Sequence, residues 1–183
     1  VRYLCGKIGF FEADAEGLKN INFSKPIVCV DVGASDGVFA KYLIKNNIKL
    51  KKVYFFEPNE NYKKDLEKLD KINAKIFDYG LGLRNEYIQM TVPYYYIFKK
   101  KLYLNTYAFN TVEDCKKQVD LDFKFRKKIF FDSIKIKISN NYKFNEKIDL
   151  IKIDINGSEL EIIKVLESTI QEDNPLIYIE NNF

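Results

Sequence analysis

The chain has 183 residues, 46% of them hydrophobic, enough to bury one core as a single domain. Thirty basic residues against 26 acidic ones leave a formal charge of +4, too mild and too scattered among Asn and Ile to imply a nucleic-acid surface. There is no histidine, which removes His-based triads, most His-type zinc sites and the commonest general base.

The three cysteines, Cys5, Cys29 and Cys115, form no Cys-x-x-Cys pair and have no metal spacing. That usage suits a reducing, cytoplasmic compartment. No apolar run approaches the ~18–20 residues of a membrane span, and no signal peptide is visible. The runs Lys99-Lys100-Lys101 and Lys124 to Lys128 read as solvated faces.

Val1 to Phe23 reads as an irregular or helical lead-in, with turn signals at Gly17 and Asn20; the absent initial methionine leaves room for a preceding segment. Lys25-Pro26 leads into an apolar run in which Val28, Val30 and Val32 suit a buried strand. The run breaks at Asp31-Val32-Gly33-Ala34-Ser35-Asp36-Gly37, and a helix from about Val38 to Asn46 follows, with Val38, Phe39, Tyr42 and Leu43 on one face. Strand, glycine turn and helix N-terminus in this order form a ligand cradle in which backbone N–H groups are expected to face the ligand.

A second strand, Val53 to Phe56, ends in Glu57-Pro58-Asn59. Glu57 lies 20 residues after Gly37, about where a nucleoside-binding α/β unit places the acid that accepts from ribose hydroxyls. Each such charge-assisted bond contributes roughly 1.5–3 kcal/mol. Asn59 reads as the cap of a helix from Glu60 to Leu69, with Tyr62, Leu66 and Leu69 on its apolar face. The third strand is Ala74 to Phe77, closed by Asp78-Tyr79-Gly80-Leu81-Gly82. This alternation argues for a mostly parallel sheet with helices on both faces.

Residues 83–147 depart from the alternation. Glu86 to Val92 reads as a half-exposed strand stopping at Pro93, and Tyr94 to Phe98 and Lys127 to Ile136 are further aromatic-rich β candidates. An antiparallel insertion beside the sheet is expected, forming either a wall for a substrate or plain hydrophobic cover. Alternation resumes at Ile148 to Asp154, followed by a turn at Ile155-Asn156-Gly157. A helix from Ser158 to Ile170 is expected, with Leu160, Ile163, Leu166 and Ile170 near one face and a capping box between Ser158 and Glu161. A last strand, Leu176 to Ile179, ends on Glu180. Asp31, Glu57, Asp154 and Glu180 thus close predicted strands and Asp78 follows another, which gathers these acids around one crevice at the carboxyl edge.

The turn is Gly-x-x-x-Gly, with Ser35 where a dinucleotide enzyme needs glycine to clear a pyrophosphate. The Asp31 carboxylate beside the loop suits a cationic ligand such as S-adenosylmethionine better than two phosphates. A nicotinamide-dependent oxidoreductase is therefore the weaker alternative.

These segments resemble the FkbM family of S-adenosylmethionine-dependent methyltransferases. The likeness rests on Asp31 to Gly37, Phe56-Glu57-Pro58, Gly80-Leu81-Gly82, Ile151-Lys152-Ile153-Asp154-Ile155-Asn156-Gly157-Ser158-Glu159 and Ile177-Tyr178-Ile179-Glu180. It implies the class I (Rossmann-like) methyltransferase sheet, lacking its C-terminal antiparallel strands here, and O-methylation of a hydroxyl on a sugar, glycan or secondary metabolite. It also implies roles: Asp31, Gly33, Ala34, Ser35, Asp36 and Gly37 under the methionine part of the cofactor, Glu57 with Pro58 at the ribose, Asp78 and Tyr79 near the adenine, and Asp154 facing the sulfonium and acceptor. Ser35, Gly80 and Asn156 depart from the family's Asn, Ala and Glu. The candidate bases are Asp154, Glu159 and Glu180; Lys152, on the same strand face as Asp154, reads as its ion-pair partner.

The resulting division is a lead-in at 1–25, a cofactor-binding half at 26–82, an acceptor-side insertion at 83–147 and the last two strands at 148–183. The partners expected are a small-molecule or glycan acceptor and, through an exposed sheet edge, a second copy. A non-catalytic S-adenosylmethionine-binding or interaction module is the alternative from another class.

Overall fold

The computed structural model describes residue 18 and residues 21–69, 72–104, 111–122, 128–155 and 157–179. Its core is a five-stranded sheet made of β1 (Ile27–Val32), β2 (Leu50–Phe56), β3 (Ala74–Phe77), β8 (Leu150–Ile153) and β9 (Leu176–Ile179). The order is β3-β2-β1-β8-β9 and every neighbouring pair is parallel. From β1 the chain builds outward to β3, then returns to the other side of β1 with β8. The reversal opens a crevice between the carboxyl ends of β1 and β8.

Register sets the crevice floor. Val32 lies level with Phe56 and Ile153, Phe56 with Phe77, and Ile153 with Ile179. Gly33, Glu57, Asp78 and Asp154 therefore each begin one residue beyond a common line.

Helices cover both faces. Helix α1 (Val38–Lys45) and helix α2 (Lys63–Glu67) bring Phe39, Tyr42, Leu43 and Leu66 against Cys29, Val53, Phe55 and Leu150. On the opposite face, helix α4 (Glu159–Val165) and Leu166 bring Ile162 and Leu166 against Val30, Val32, Tyr54, Phe56, Ile151 and Ile153. Burying each such side chain stabilises the fold by about 1.5–3 kcal/mol.

The insertion, joined by β4 (Gly80–Leu81) from the segment before it, forms a second sheet ordered β4-β7-β5-β6, with β5 (Glu86–Ile97), β6 (Lys100–Tyr103) and β7 (Phe130–Ser139), and helix α3 (Val112–Asp122) beside it. The pairings β5–β6 and β5–β7 are antiparallel and β4–β7 is parallel.

Several expected boundaries move. β5 does not stop at Pro93 but runs on through Tyr94 to Ile97; Pro93 needs no amide partner, and its carbonyl accepts from Leu104 N–H at 2.8 Å. Phe98 and Lys99, at φ 45° and 66°, form the two-residue link to β6. The helix after Asn59 splits into a 3-10 turn (Glu60–Tyr62) and α2. The helix expected from Ser158 to Ile170 breaks at Leu166 into α4 and α5 (Glu167–Asp173). Leu160 is 79% exposed, and Ile162 takes its place in the core. No capping box forms: Ser158 makes no side-chain cap bond, and Glu161 accepts instead from Leu83 N–H at 2.8 Å. Among the described residues no helix is long and apolar enough to cross a membrane.

Candidate functional site at the carboxyl edge of the parallel sheet

Glu57 leaves β2 and turns back towards the β1 loop. One of its carboxylate oxygens accepts from Ser35 N–H at 2.8 Å and the other from Asn59 N–H at 2.8 Å. Asn59 caps the following turn, as expected, by accepting from Asn61 N–H at 3.1 Å. Burial raises the Glu57 pKa to about 7, against the smaller opposing pull of the two backbone donors. The Tyr62 phenol, whose pKa is raised chiefly by burial, feels Ser35 and the Glu57 charge nearby. Sequence periodicity alone placed Tyr62 on the apolar side of a helix.

The β1 loop does not present its amides as expected. Gly33 and Ala34 N–H donate to the Phe56 carbonyl at 3.0 and 3.2 Å, Ser35 N–H to Glu57, and Gly37 N–H to the Ala34 carbonyl at 2.8 Å. The loop stitches β1 to β2 and leaves none of these four donors for a ligand. Glycine at 33 has a packing reason: at φ +75°, an added Cβ would stand 2.0 Å from the Asp154 carbonyl oxygen. Ala34 is buried in the core, and Asp36 pairs with Lys41 at 3.2 Å. Ser35 holds φ 52°, a left-handed conformation that an asparagine adopts at less cost than a serine.

Asp31 also departs from expectation. It lies within β1, fully buried, and its charge does not face the crevice. Its register partner across the β1–β8 ladder is Lys152, whose Nζ is 3.2 Å from Asp31 Oδ1, 3.2 Å from Asp154 Oδ2 and 2.8 Å from the Gly33 carbonyl. The expected Lys152–Asp154 ion pair is present. Burial pushes the Asp31 pKa up, partly offset by Lys152. Burial also works against the charged form of Lys152, but the two carboxylates outweigh it and raise its pKa. The trio carries a net charge of −1, and only the Asp154 side chain, 24% exposed, brings that charge to the crevice.

The remaining candidates scatter. Asp78 is exposed just past β3. Tyr79 is buried among Phe56 and Phe77, its hydroxyl donating to the Asn141 carbonyl. Pro58 lies against β4, near Gly80. Glu159 turns back to accept from Gly157 N–H at 3.1 Å, which holds the loop before α4. Asn156 and Glu180 lie outside the described residues. An open groove of about 720 Å³ is lined by Tyr142, Lys143, Glu146, Lys164 and Thr169 among others, and includes none of the strand-end acids. The site is thus defined by topology and chemistry rather than by cavity size.

A parallel sheet of this order, with an inward-turned acid after its second strand, is that of an open α/β protein whose crevice lies at the carboxyl edge. The methyltransferase FkbM domain matches residues 31–183, and the chain belongs to that family. The crystal structure of methyltransferase FkbM from Methylobacillus flagellatus KT is similar in fold, with a TM-score of 0.54 and 19% identity over 87% of this chain and 34% of that one. The chain thus spans about a third of that protein's length. No curated protein matches the chain.

Proposed function

We propose that the protein is an S-adenosylmethionine-dependent O-methyltransferase acting on a hydroxyl of a sugar, glycan or secondary metabolite. The observation that carries this reading is the placement of Glu57, turned inward to the Ser35 amide rather than out to solvent. Each of its oxygens takes one backbone N–H and retains a second lone pair, the acceptor pair that a ribose diol needs. The amides of Gly33, Ala34, Ser35 and Gly37 are already engaged, and Ser35 stands where a dinucleotide's pyrophosphate would need glycine. The negative charge at Asp154 suits the ammonium and sulfonium of the donor.

When bound, S-adenosylmethionine supplies an activated methyl group. The chain's residues supply position and proton transfer. Glu57 orients the nucleoside, with Asp78 at its adenine side. Asp154 ends β8 over the crevice and takes the acceptor hydroxyl's proton; a positioned base of this kind adds roughly 10²–10⁴-fold. Most of the rate comes from holding the reactants in line. The bond from Gly157 N–H makes Glu159 a loop support before it is a base, and the role of Glu180 rests on the sequence. The second sheet provides the acceptor wall.

Calorimetric titration with S-adenosylhomocysteine is expected to show one binding event, and a folded sample that binds nothing overturns the reading. One observation favours a donor-binding module without turnover: Asp154 is tied to Lys152 rather than standing as an unpaired base. Methyl transfer from radiolabelled donor to any member of a glycan panel eliminates that second reading.

A further inference from the structure

The buried ammonium of Lys152 is more than one half of an ion pair. Its side chain is 4% exposed, and its Nζ meets three acceptors from two strand ends: Asp31, Asp154 and the Gly33 carbonyl. An ammonium has three N–H donors, so the count matches. Asp31 is fully buried, and apart from the 3.2 Å ion contact with Lys152 neither of its carboxylate oxygens has a well-formed hydrogen bond. A carboxylate sealed in this way contributes little to stability by itself; hydrophobic replacement of such a pair is often neutral or stabilising.

The geometry points to Lys152 as a positioning residue for the amino-acid end of the methyl donor. Asp31 holds the ammonium in the plane between β1 and β8 from below. Lys152 in turn fixes the Asp154 carboxylate and the Gly33 carbonyl, one on each lip of the crevice. The α-ammonium of the donor's amino-acid end then meets a carboxylate and a carbonyl already set in place. Glu57, on the far side of β1, is held by the Ser35 and Asn59 amides, and Lys152 and Asp31 act on it only as opposing charges at a distance. This inference rests on the donor reading given above and divides that site into two separately held ends.

The division is testable with two probes and two variants. Lys152→Met removes the clamp, and Asp31→Asn/Lys152→Met removes it while leaving no unpaired buried charge, which preserves the fold if the single variant does not fold. S-adenosylhomocysteine carries the amino-acid end, whereas adenosine carries only the nucleoside. In calorimetry on samples with an intact melting transition, S-adenosylhomocysteine affinity is expected to fall at least tenfold and adenosine affinity to change less than twofold. A folded double variant that binds S-adenosylhomocysteine within threefold of wild type overturns the inference. So does parallel loss of both ligands, which marks a purely structural role. Failure of the wild-type protein to bind S-adenosylhomocysteine overturns the donor reading and this inference together, so the two failures are distinct.

Discussion

In the parallel sheet β1 and β8 are buried along their whole length, whereas β5 of the second sheet passes from exposed to buried and back to half-exposed. The first kind of strand has water on neither face, so its chemistry can appear only where the strand ends. The second kind can present side chains along a face, as Tyr94, Tyr96 and Phe130 do in a cross-strand cluster. In the proposed function, cofactor chemistry falls to the carboxyl edge of one sheet and acceptor contacts to the face of the other. The two regions should also answer mutation very differently.

The sharpest break comes at the strand end. Gly33→Ala would set a Cβ 2.0 Å from the Asp154 carbonyl oxygen at φ +75°, and it is expected to cost about 5 kcal/mol from backbone strain and overlap together. Chemical denaturation should show the loss, or no cooperative transition. Phe56→Ala comes next. The ring is fully buried and stacked on Phe77 at 4.4 Å, and its removal should cost about 4 kcal/mol by the same measurement.

A pH effect follows. The folded pKa of Glu57, about 7, lies above its ordinary value of 4.5, so the native state holds this proton more tightly than the unfolded chain. Stability is then greatest below pH 4.5 as far as this group is concerned. It falls as pH rises towards 7, by roughly 3 kcal/mol at most. Melting curves of Glu57→Gln against wild type across this window should show the slope reduced. Asp31, also raised by burial, contributes in the same direction.

The smallest effect belongs to the second sheet. Phe98 is completely exposed, and it and Lys99 both sit at positive φ. Phe98→Asn/Lys99→Gly supplies the residues this turn favours and should stabilise by about 1 kcal/mol. A loss of stability there would mean that the hairpin tip is held by more than its backbone.

The parallel half was legible because its signals are local. Val28, Val30 and Val32 are buried as their alternation implied, the third strand has its expected bounds, and Asn59 is the cap its position suggested. The acids were harder to read. Spacing put Glu57 at the end of the second strand, where it meets the Ser35 amide, but only the register could show that Asp31 faces Lys152 inside the sheet. The loop amides at Gly33, Ala34 and Ser35 read differently in the structure because they bond to Phe56 and Glu57 at the end of β2, a pairing between strands that local sequence does not show. Pro93 misled for a similar reason: whether a proline ends a strand depends on what its missing amide would have met.

The central claim is that Glu57 grips the nucleoside of an S-adenosyl donor. Its most direct test is titration of wild type and Glu57→Gln with S-adenosylhomocysteine at pH 6 and pH 8. With a carboxyl pKa of about 7, wild-type affinity should rise as the carboxylate forms, roughly tenfold between these pH values, and Glu57→Gln should bind weakly at both. Equal affinity of variant and wild type, with no dependence on pH, would contradict the account.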